Sequence, residues 1–522
     1  IAAAKSVEAD AVHPGYGFLS ENAEFAERCA EAGITFIGPS VAALGLFGDK
    51  VRARNLAKKL EIPVVPGSDT ALDRLKDAEK MAEALGYPVM LKAAAGGGGR
   101  GMRPVDSAEA LTSAFARCSS EAESAFGDGS LFMEKLVEHP RHIEVQILAD
   151  QKGTTIHLYE RDCSVQLRHQ KVIEIAPAAG LSDELQAQLH SDAVRLVSEA
   201  GYVNAGTVEF LVEPESGAYY FIECNRRIQV EHTVTEEVMG VDLIEAQIEI
   251  ANGADLKSLG LIGLKPRGYA VQSRVVAEGG GTISAYQEPG GPGVRVDSCG
   301  FLGYAPSQQF DPLLAKVVCR SNSTGSLSSA IERSRRAIEA FQIGGVPTNL
   351  ASLHAILGRA EIVAGDARTT LLATYPALLS AAPLAAMSGT FLAQQSKRVT
   401  RGGADLSSRN AKQLPDLDFD TQCEVITCPM DSAVLEVTVG QGDTVKAGDT
   451  ICIVSAMKME TNVASPVAGR VAAIQSLSVG DNLAAGSIIA AVMPDVNTSA
   501  SAREPGLGTW SEMLDKIATL KQ

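Results

Sequence analysis

Cys428-Pro429-Met430-Asp431-Ser432-Ala433-Val434 and Ser465-Pro466-Val467-Ala468-Gly469-Arg470-Val471 are two copies of one pattern, with Ala456-Met457-Lys458-Met459 between them. The offset is 37 residues there, and 38 residues from Gly442-Asp443 to Gly480-Asp481 and from Gly448 to Gly486. Each copy reads as short strands, such as 434–439 and 451–454, separated by Gly and Asp turns. One copy is too short to bury a core alone. Two interlocked copies make a small β sandwich, and the join between them is a tight exposed turn. That turn presents Lys458, flanked by two methionines, for covalent modification.

Outward from this module, the chain of 522 residues has room for further domains. A net charge of −17 argues against a general nucleic-acid-binding surface, so any anion site must concentrate its positive charge locally. Nine cysteines without a CxxC pair read as reduced thiols, and eight histidines without HExxH or HxxxH give no zinc site. The charge-free stretch 369–396 is broken by Pro376, Pro383 and Gly389, so no membrane span is expected.

Residues 1–66 read as α/β units, with a helix from Glu21 to Ala32 capped by Ser20. Residues 67–138 form a second module with helices at 77–85 and 106–118, strands at 88–92 and 131–134, and the loop Gly96-Gly97-Gly98-Gly99. Residues 139–376 alternate strands and end in a helix over 326–341. Residues 377–422 read as a linker, 423–494 as the repeat module, and 495–522 as a tail ending in a helix over 510–520.

Four segments upstream carry chemistry. Lys92-Ala-Ala-Ala-Gly-Gly-Gly-Gly-Arg-Gly-Met102 follows a strand, and its glycines let backbone N–H groups approach a polyphosphate. A merely flexible loop is the alternative, and no GK[ST] follows as in a Walker loop. The strands 205–212 and 218–225 form a hairpin whose turn, if centred on Ser216, sets Glu209 opposite Glu223. Opposed carboxylates repel. A Mg²⁺ or Mn²⁺ ion between them, with Asn225 as a third oxygen, removes the conflict; two solvated glutamates are the alternative. Asn225-Arg-Arg-Ile-Gln-Val-Glu-His232 sets Arg226, Arg227 and Glu231 close by, as an oxyanion site with a proton acceptor or as a charged surface strand. Glu160-Arg-Asp-Cys-Ser-Val-Gln-Leu-Arg-His-Gln-Lys171 gathers Arg161, Arg168, His169 and Lys171 as an anion site or a solvated loop.

His13-Pro-Gly-Tyr-Gly-Phe-Leu-Ser-Glu-Asn22, the glycine loop, Glu134-Lys135, Pro140-Arg-His-Ile-Glu-Val-Gln146, 161–171 and Arg227-Ile-Gln-Val-Glu-His232 together resemble the biotin carboxylase component of biotin-dependent carboxylases. The repeat module resembles their biotin carboxyl carrier domain. The resemblance implies an α/β ATP-grasp fold followed by an all-β biotinyl/lipoyl-like barrel sandwich. By the same resemblance, 1–66 is a truncated N-terminal domain, 67–138 the lid, and 139–376 the main and C-terminal parts.

It implies an ATP-grasp ligase that carboxylates biotin on Lys458 through carboxyphosphate. Lys50, Lys92 and Gly96, Gly97, Gly98 and Gly99 would hold ATP phosphates. Glu134, Lys135 and Val137 would line the adenine pocket, completed by His142, Gln166 and His169. Glu209, Glu223 and Asn225 would hold Mg²⁺. Lys171, Arg227, Gln229 and Val230 would cradle bicarbonate, Glu231 would be the general base, and Arg295 would stabilise the enolate-like biotin. The implied partners are a carboxyltransferase, a biotin protein ligase and a second copy of the chain. The implied compartment is the cytoplasm, with an organelle matrix as the alternative. The helix over 510–520 resembles the entry to an acyl-CoA carboxyltransferase, so an acyl-CoA carboxylase of the acetyl- or propionyl-CoA class is expected. A pyruvate or urea carboxylase fragment, or an inactive carrier, is the alternative. Arg226 departs from the family, which commonly has a small polar residue there, and Ser432 replaces a frequent Gly.

Overall fold

The computed structural model describes residues 1–68, 70–72, 74–94, 102–307, 310–322, 324–381, 417, 419–420, 423–429, 432–456, 459–484 and 486–494. Gly96, Gly97, Gly98, Gly99, Lys458 and the expected tail helix lie outside these residues. The chain divides into two compact units.

An antiparallel sheet of eight strands organises the larger unit. Its order is Tyr219–Asn225, Asn204–Val212, Arg141–Ala149, Thr155–Leu167, Gln170–Ala176, Ala270–Val276, Leu313–Arg320, Val294–Ser298. Alternation along Arg141–Ala149 sends Ile143, Val145 and Ile147 to one face, where they pack with Val208, Phe210 and the helix Asp183–Glu199. Burying each such side chain is worth about 1.5–3 kcal/mol. His142, Glu144 and Gln146 therefore point to the other face. Part of that face is covered by the helices His232–Met239 and Leu243–Ala251, through Val234, Val238 and Leu243 against Leu148, Leu158 and Ala205. A separate three-stranded sheet, Met102–Val105, Val89–Ala93 and Leu131–Lys135, packs on the helices Leu75–Leu85 and Ala108–Phe126.

Several element ends differ from expectation. The segment after Gly17 is a short 3-10 turn, Phe18–Glu21, and the following helix Ala23–Glu31 is capped by Asn22, whose Oδ1 accepts the Phe25 N–H. Ser20 is buried in the turn and caps nothing. The helix Ala108–Phe126 outlasts the expected 106–118, because Leu111, Phe115, Cys118 and Ala122 stay on one buried face through the polar Ser119-Ser120. It ends at Gly127 in the left-handed region, φ 72°.

The acidic hairpin has two registers. Near the turn Tyr219 pairs with Val212 and Phe221 with Phe210, one residue off the register of a turn centred on Ser216. An irregularity between Phe221 and Glu223 shifts the ladder, and beyond it Glu223 faces Glu209 and Asn225 faces Thr207.

The smaller unit carries two four-stranded sheets. One is Glu424–Thr427, Ile488–Pro494, Gly469–Ile474, Thr444–Val445; the other is Met459–Ala464, Thr450–Ala456, Ser432–Val437, Asn482–Leu483. Each repeat lends a two-residue strand to the sheet that holds the long strands of the other, which is why one copy cannot close alone. Val434, Ile451, Val454, Val471 and Ile489 share the core. The repeated turns match in detail. Gly442 and Gly480 have φ 94° and 91°, and Asp443 and Asp481 each accept a backbone N–H three residues back. Ala456 pairs with Met459 across the hairpin that contains Lys458 in sequence. Among the described residues no helix is long and apolar enough to cross a membrane.

Candidate active site

Strand register builds the site. Glu223 pairs with Glu209, Glu209 with Glu144, and Glu144 with Arg161, so three carboxylates and one guanidinium form a row across four strands. Like charges in adjacent register destabilise a sheet unless compensated. Lys171, on the neighbouring strand Gln170–Ala176, compensates most of it. Its Nζ donates to Glu144, to Glu209 Oε1 at 2.9 Å and to Glu231 Oε1 at 2.6 Å. Lys50 Nζ lies 3.6 Å from Glu223 Oε2.

Glu231 occupies the N-cap position of the helix His232–Met239. Its other oxygen, Oε2, accepts from Arg274 Nη2 at 2.9 Å, and Arg274 Nε donates to the buried Glu174 at 2.5 Å. Burial pushes the Glu231 carboxyl up, but Lys171, Arg274 and Arg161 prevail and hold it well below the usual carboxylate range. Glu209 is held low in the same way by Lys171 and His142 against its burial. The three carboxylates around it keep Lys171 far above its ordinary value despite its own burial. The junction is therefore ionised at neutral pH.

Asn225 Nδ2 and Gln229 Nε2 both donate to Glu209 Oε1, at 3.0 and 3.1 Å. Asn225 Oδ1 accepts from Arg227 at 3.3 Å, so its oxygen faces Arg227 and its amide nitrogen faces Glu209. Of the three oxygen donors expected for a dication, Glu209 and Glu223 come from paired positions of the hairpin, whereas the Asn225 oxygen is turned to Arg227 and would join them only after an amide flip. Arg226 is drawn off to Glu21 and to the Leu44 carbonyl. Val230 is buried, and its carbonyl accepts from Lys316. Arg295 is held by Asp297 through two bonds of 2.8 and 2.9 Å and by Glu236 at 2.8 Å.

The residues expected at the nucleotide gather less tightly. Glu134 is buried and accepts from Lys92 at 2.5 Å and from Arg54 at 3.0 Å, so its carboxylate positions the lysine. Lys135 donates to the carbonyls of Gly86 and Tyr87, which turns its ammonium back into its own sheet. Val137 is half-buried in the segment that follows that strand. His142 bridges Gln166, 3.0 Å from Nδ1, and Glu209, 3.1 Å from Nε2. Arg168 and His169 both have positive φ, 51° and 65°, in the two-residue turn where Leu167 pairs with Gln170. Such turns favour Asn-Gly, so two bulky residues there carry backbone strain. The cluster 160–171 is therefore split: Arg161 is interior, Lys171 is in the row, and His169 is on an exposed turn.

Sequence reasoning missed Glu144, Arg274, Glu174 and Glu21. The signal for two of them was present: Glu144 alternates with His142 and Gln146, and Arg274 with Gln272, in strands otherwise apolar. Glu21 accepts the Arg226 N–H at 3.1 Å across 205 residues, which no local pattern reveals.

Family models match in the order of the chain. Residues 1–44 match the biotin carboxylase N-terminal domain, and 49–259 the carbamoyl-phosphate synthase L chain ATP-binding domain. Residues 272–374 match the biotin carboxylase C-terminal domain, and 424–492 the biotin-requiring enzyme domain. The human mitochondrial pyruvate carboxylase is 47% identical over 73% of this chain and 33% of its own length. The biotin carboxylase domain of Hydrogenobacter thermophilus 2-oxoglutarate carboxylase, solved with MgADP and bicarbonate, is 42% identical over 73% of this chain and 85% of its own, with a TM-score of 0.70. A single-chain, multi-domain long-chain acyl-CoA carboxylase is 32% identical over 99% of this chain and 46% of its own, with a TM-score of 0.62.

This chain spans about a third of the length of the curated relatives it matches. Those relatives, at 44–49% identity, are pyruvate carboxylases and do not support the expected acyl-CoA class. The larger unit has the ATP-grasp biotin carboxylase fold, an all-β biotinyl module follows it, and the chain belongs to the biotin carboxylase family.

Proposed function

We propose that this chain uses ATP to activate bicarbonate and carboxylates a biotinyl group on Lys458, the first half-reaction of a biotin-dependent carboxylase. The observation that carries this reading is the buried junction of Lys171, Glu231 and Arg274, set beside Gln229 and the opposed pair Glu209 and Glu223. A one-carbon anion arriving there takes donors from Lys171, Gln229 and Arg227. Glu231, released from Lys171 as the anion binds, gains basicity and accepts the bicarbonate proton. The bicarbonate oxygen then attacks the γ-phosphorus of ATP as the bond to the β,γ-bridging oxygen breaks, which gives carboxyphosphate and ADP.

Glu209 and Glu223 fit Mg²⁺ or Mn²⁺ because they offer hard oxygens from facing strands. When bound, that ion supplies charge neutralisation at the phosphates. Lys50 and Lys92 orient the same phosphates, with Gly96, Gly97, Gly98 and Gly99 as backbone donors. Carboxyphosphate breaks down to CO₂ and phosphate, and the phosphate takes the ureido N–H proton; biotin, when attached, would supply the ureido nitrogen that takes the CO₂ carbon, and Arg295 would steady the negative charge after leaving Asp297 or Glu236. A biotin protein ligase loads Lys458, and a carboxyltransferase consumes the product.

The pyruvate carboxylase relatives favour a 2-oxo acid as acceptor over an acyl-CoA. An acyl-CoA acceptor is retained as a second reading because the long-chain acyl-CoA carboxylase aligns with nearly the whole chain.

The test is phosphate release by the purified chain with ATP, Mg²⁺, bicarbonate and free biotin. Turnover that requires bicarbonate is expected, and turnover indifferent to bicarbonate overturns the reading. Co-expression with a biotin protein ligase is expected to add the mass of one biotinyl group to the chain and none to Lys458→Arg. An unchanged mass gain in that variant would refute the assignment of Lys458.

A further inference from the structure

Arg161 is wholly buried in the strand Thr155–Leu167, and its guanidinium has five N–H groups. Each has its own acceptor. Nε donates to Glu144 Oε1 at 2.5 Å. Nη1 donates to Gln146 Oε1 at 2.6 Å and to Thr235 Oγ1 at 3.1 Å. Nη2 donates to Thr207 Oγ1 at 3.2 Å and to Gln229 Oε1 at 2.9 Å.

The contact with Gln229 has a directional consequence. A primary amide has one acceptor end and one donor end. With Oε1 fixed by Arg161, the NH₂ of Gln229 must face Glu209, where Nε2 donates at 3.1 Å. Turned the other way, Gln229 would set its oxygen against the Glu209 carboxylate and any incoming anion, and would leave a buried guanidinium N–H unpaired. Lysine cannot replace this fork, because three donors on one nitrogen cannot span acceptors on two strands, a loop and a helix.

We propose that Arg161 is a positioning residue for bicarbonate: by holding Gln229 Oε1 it keeps the Gln229 N–H groups aimed at the anion site. The inference rests on the proposed function, in which Gln229 meets bicarbonate.

The experiment is steady-state ATP turnover of the full chain with bicarbonate and ATP varied separately. Arg161→Lys is expected to raise the KM for bicarbonate about tenfold, the loss of one charge-assisted hydrogen bond, with the KM for ATP changed less than about twofold. Combined with Gln229→Ala, it is expected to raise the bicarbonate KM no further than Gln229→Ala alone. Equal rises in both KM values, or additive effects in the double variant, would overturn the role of Arg161. A wild-type chain without bicarbonate-dependent turnover would instead overturn the proposed function.

Should Arg161→Lys fail to fold, two milder variants decide. Thr207→Val removes the acceptor that shares Nη2 with Gln229 and is expected to raise the bicarbonate KM about threefold. Thr235→Val removes an Nη1 acceptor and is expected to leave it within about 1.5-fold. Equal effects of the two would overturn the inference.

Discussion

Replacing Glu231 by glutamine is expected to lower bicarbonate-dependent ATP turnover by about 10²- to 10⁴-fold, the range for loss of a positioned general base. Glutamine is nearly isosteric. Its oxygen still accepts from Lys171 or Arg274, the two partners now 2.6 and 2.9 Å from the carboxylate. What it cannot do is take a proton. The loss should therefore fall on kcat, while ATP binding, which the proposed function assigns to Lys92 and the glycine loop, changes little. Free Glu231 is a weak base, because Lys171, Arg274 and Arg161 outweigh its burial and hold its carboxyl low. In the proposed function the substrate anion relieves this by competing for Lys171. The remedy is local, so raising the pH should not rescue Glu231→Gln. Turnover within about fivefold of wild type, measured by phosphate release at saturating ATP, would exclude Glu231 as the proton acceptor.

The sequence made Glu231 and Glu209 visible for different reasons. Glu209 and Glu223 were found through strand alternation and a turn position, both local. Even so, the register expected near the turn is one residue off, and the pairing of the two glutamates depends on an irregularity between Phe221 and Glu223 that no turn rule foretells. Glu231 is legible through its motif, and its ion pairs to strands 60 and 43 residues away are not. Long-range contacts of this kind depend on the order of strands in the sheet. In that order Gln170–Ala176 lies between Thr155–Leu167 and Ala270–Val276, which brings Lys171 and Arg274 to one carboxylate. The repeat module was more legible because its evidence repeats: the same Gly and Asp turns recur with the same φ and the same caps. Proximity in sequence groups Arg161 with Arg168 and His169. Alternation and burial separate them, since a cation inside a sheet and a cation on a turn have the same one-letter signature.

Lys171→Met is expected to destabilise the larger unit by about 3–5 kcal/mol, the usual cost of removing one partner from a buried ion cluster. The ammonium is the only cation that touches Glu144, Glu209 and Glu231 together among the described residues. Methionine fills its volume, so the loss is electrostatic and not a cavity. The pH dependence gives the sharper test. In the wild type the folded-state pKa values of Glu209 and Glu231 lie below the unfolded value of about 4.3. Their ionisation thus contributes stability that is present above that value and is lost as pH falls through the folded ones. Without Lys171, the burial that opposes ionisation is offset only by Arg274 and Arg161 at Glu231 and by His142 at Glu209. The two carboxyl groups then move up from their wild-type values, and the variant loses less stability than the wild type as pH falls and they take up protons. The difference between wild type and variant should accordingly be largest at neutral pH and shrink as pH falls below the unfolded value of about 4.3. Denaturant unfolding across this range, followed by a probe in the larger unit, measures it. A gap that is constant with pH, or below about 1 kcal/mol at pH 7, would mean that Lys171 does not hold the row of carboxylates together, and the site would need another counter-charge.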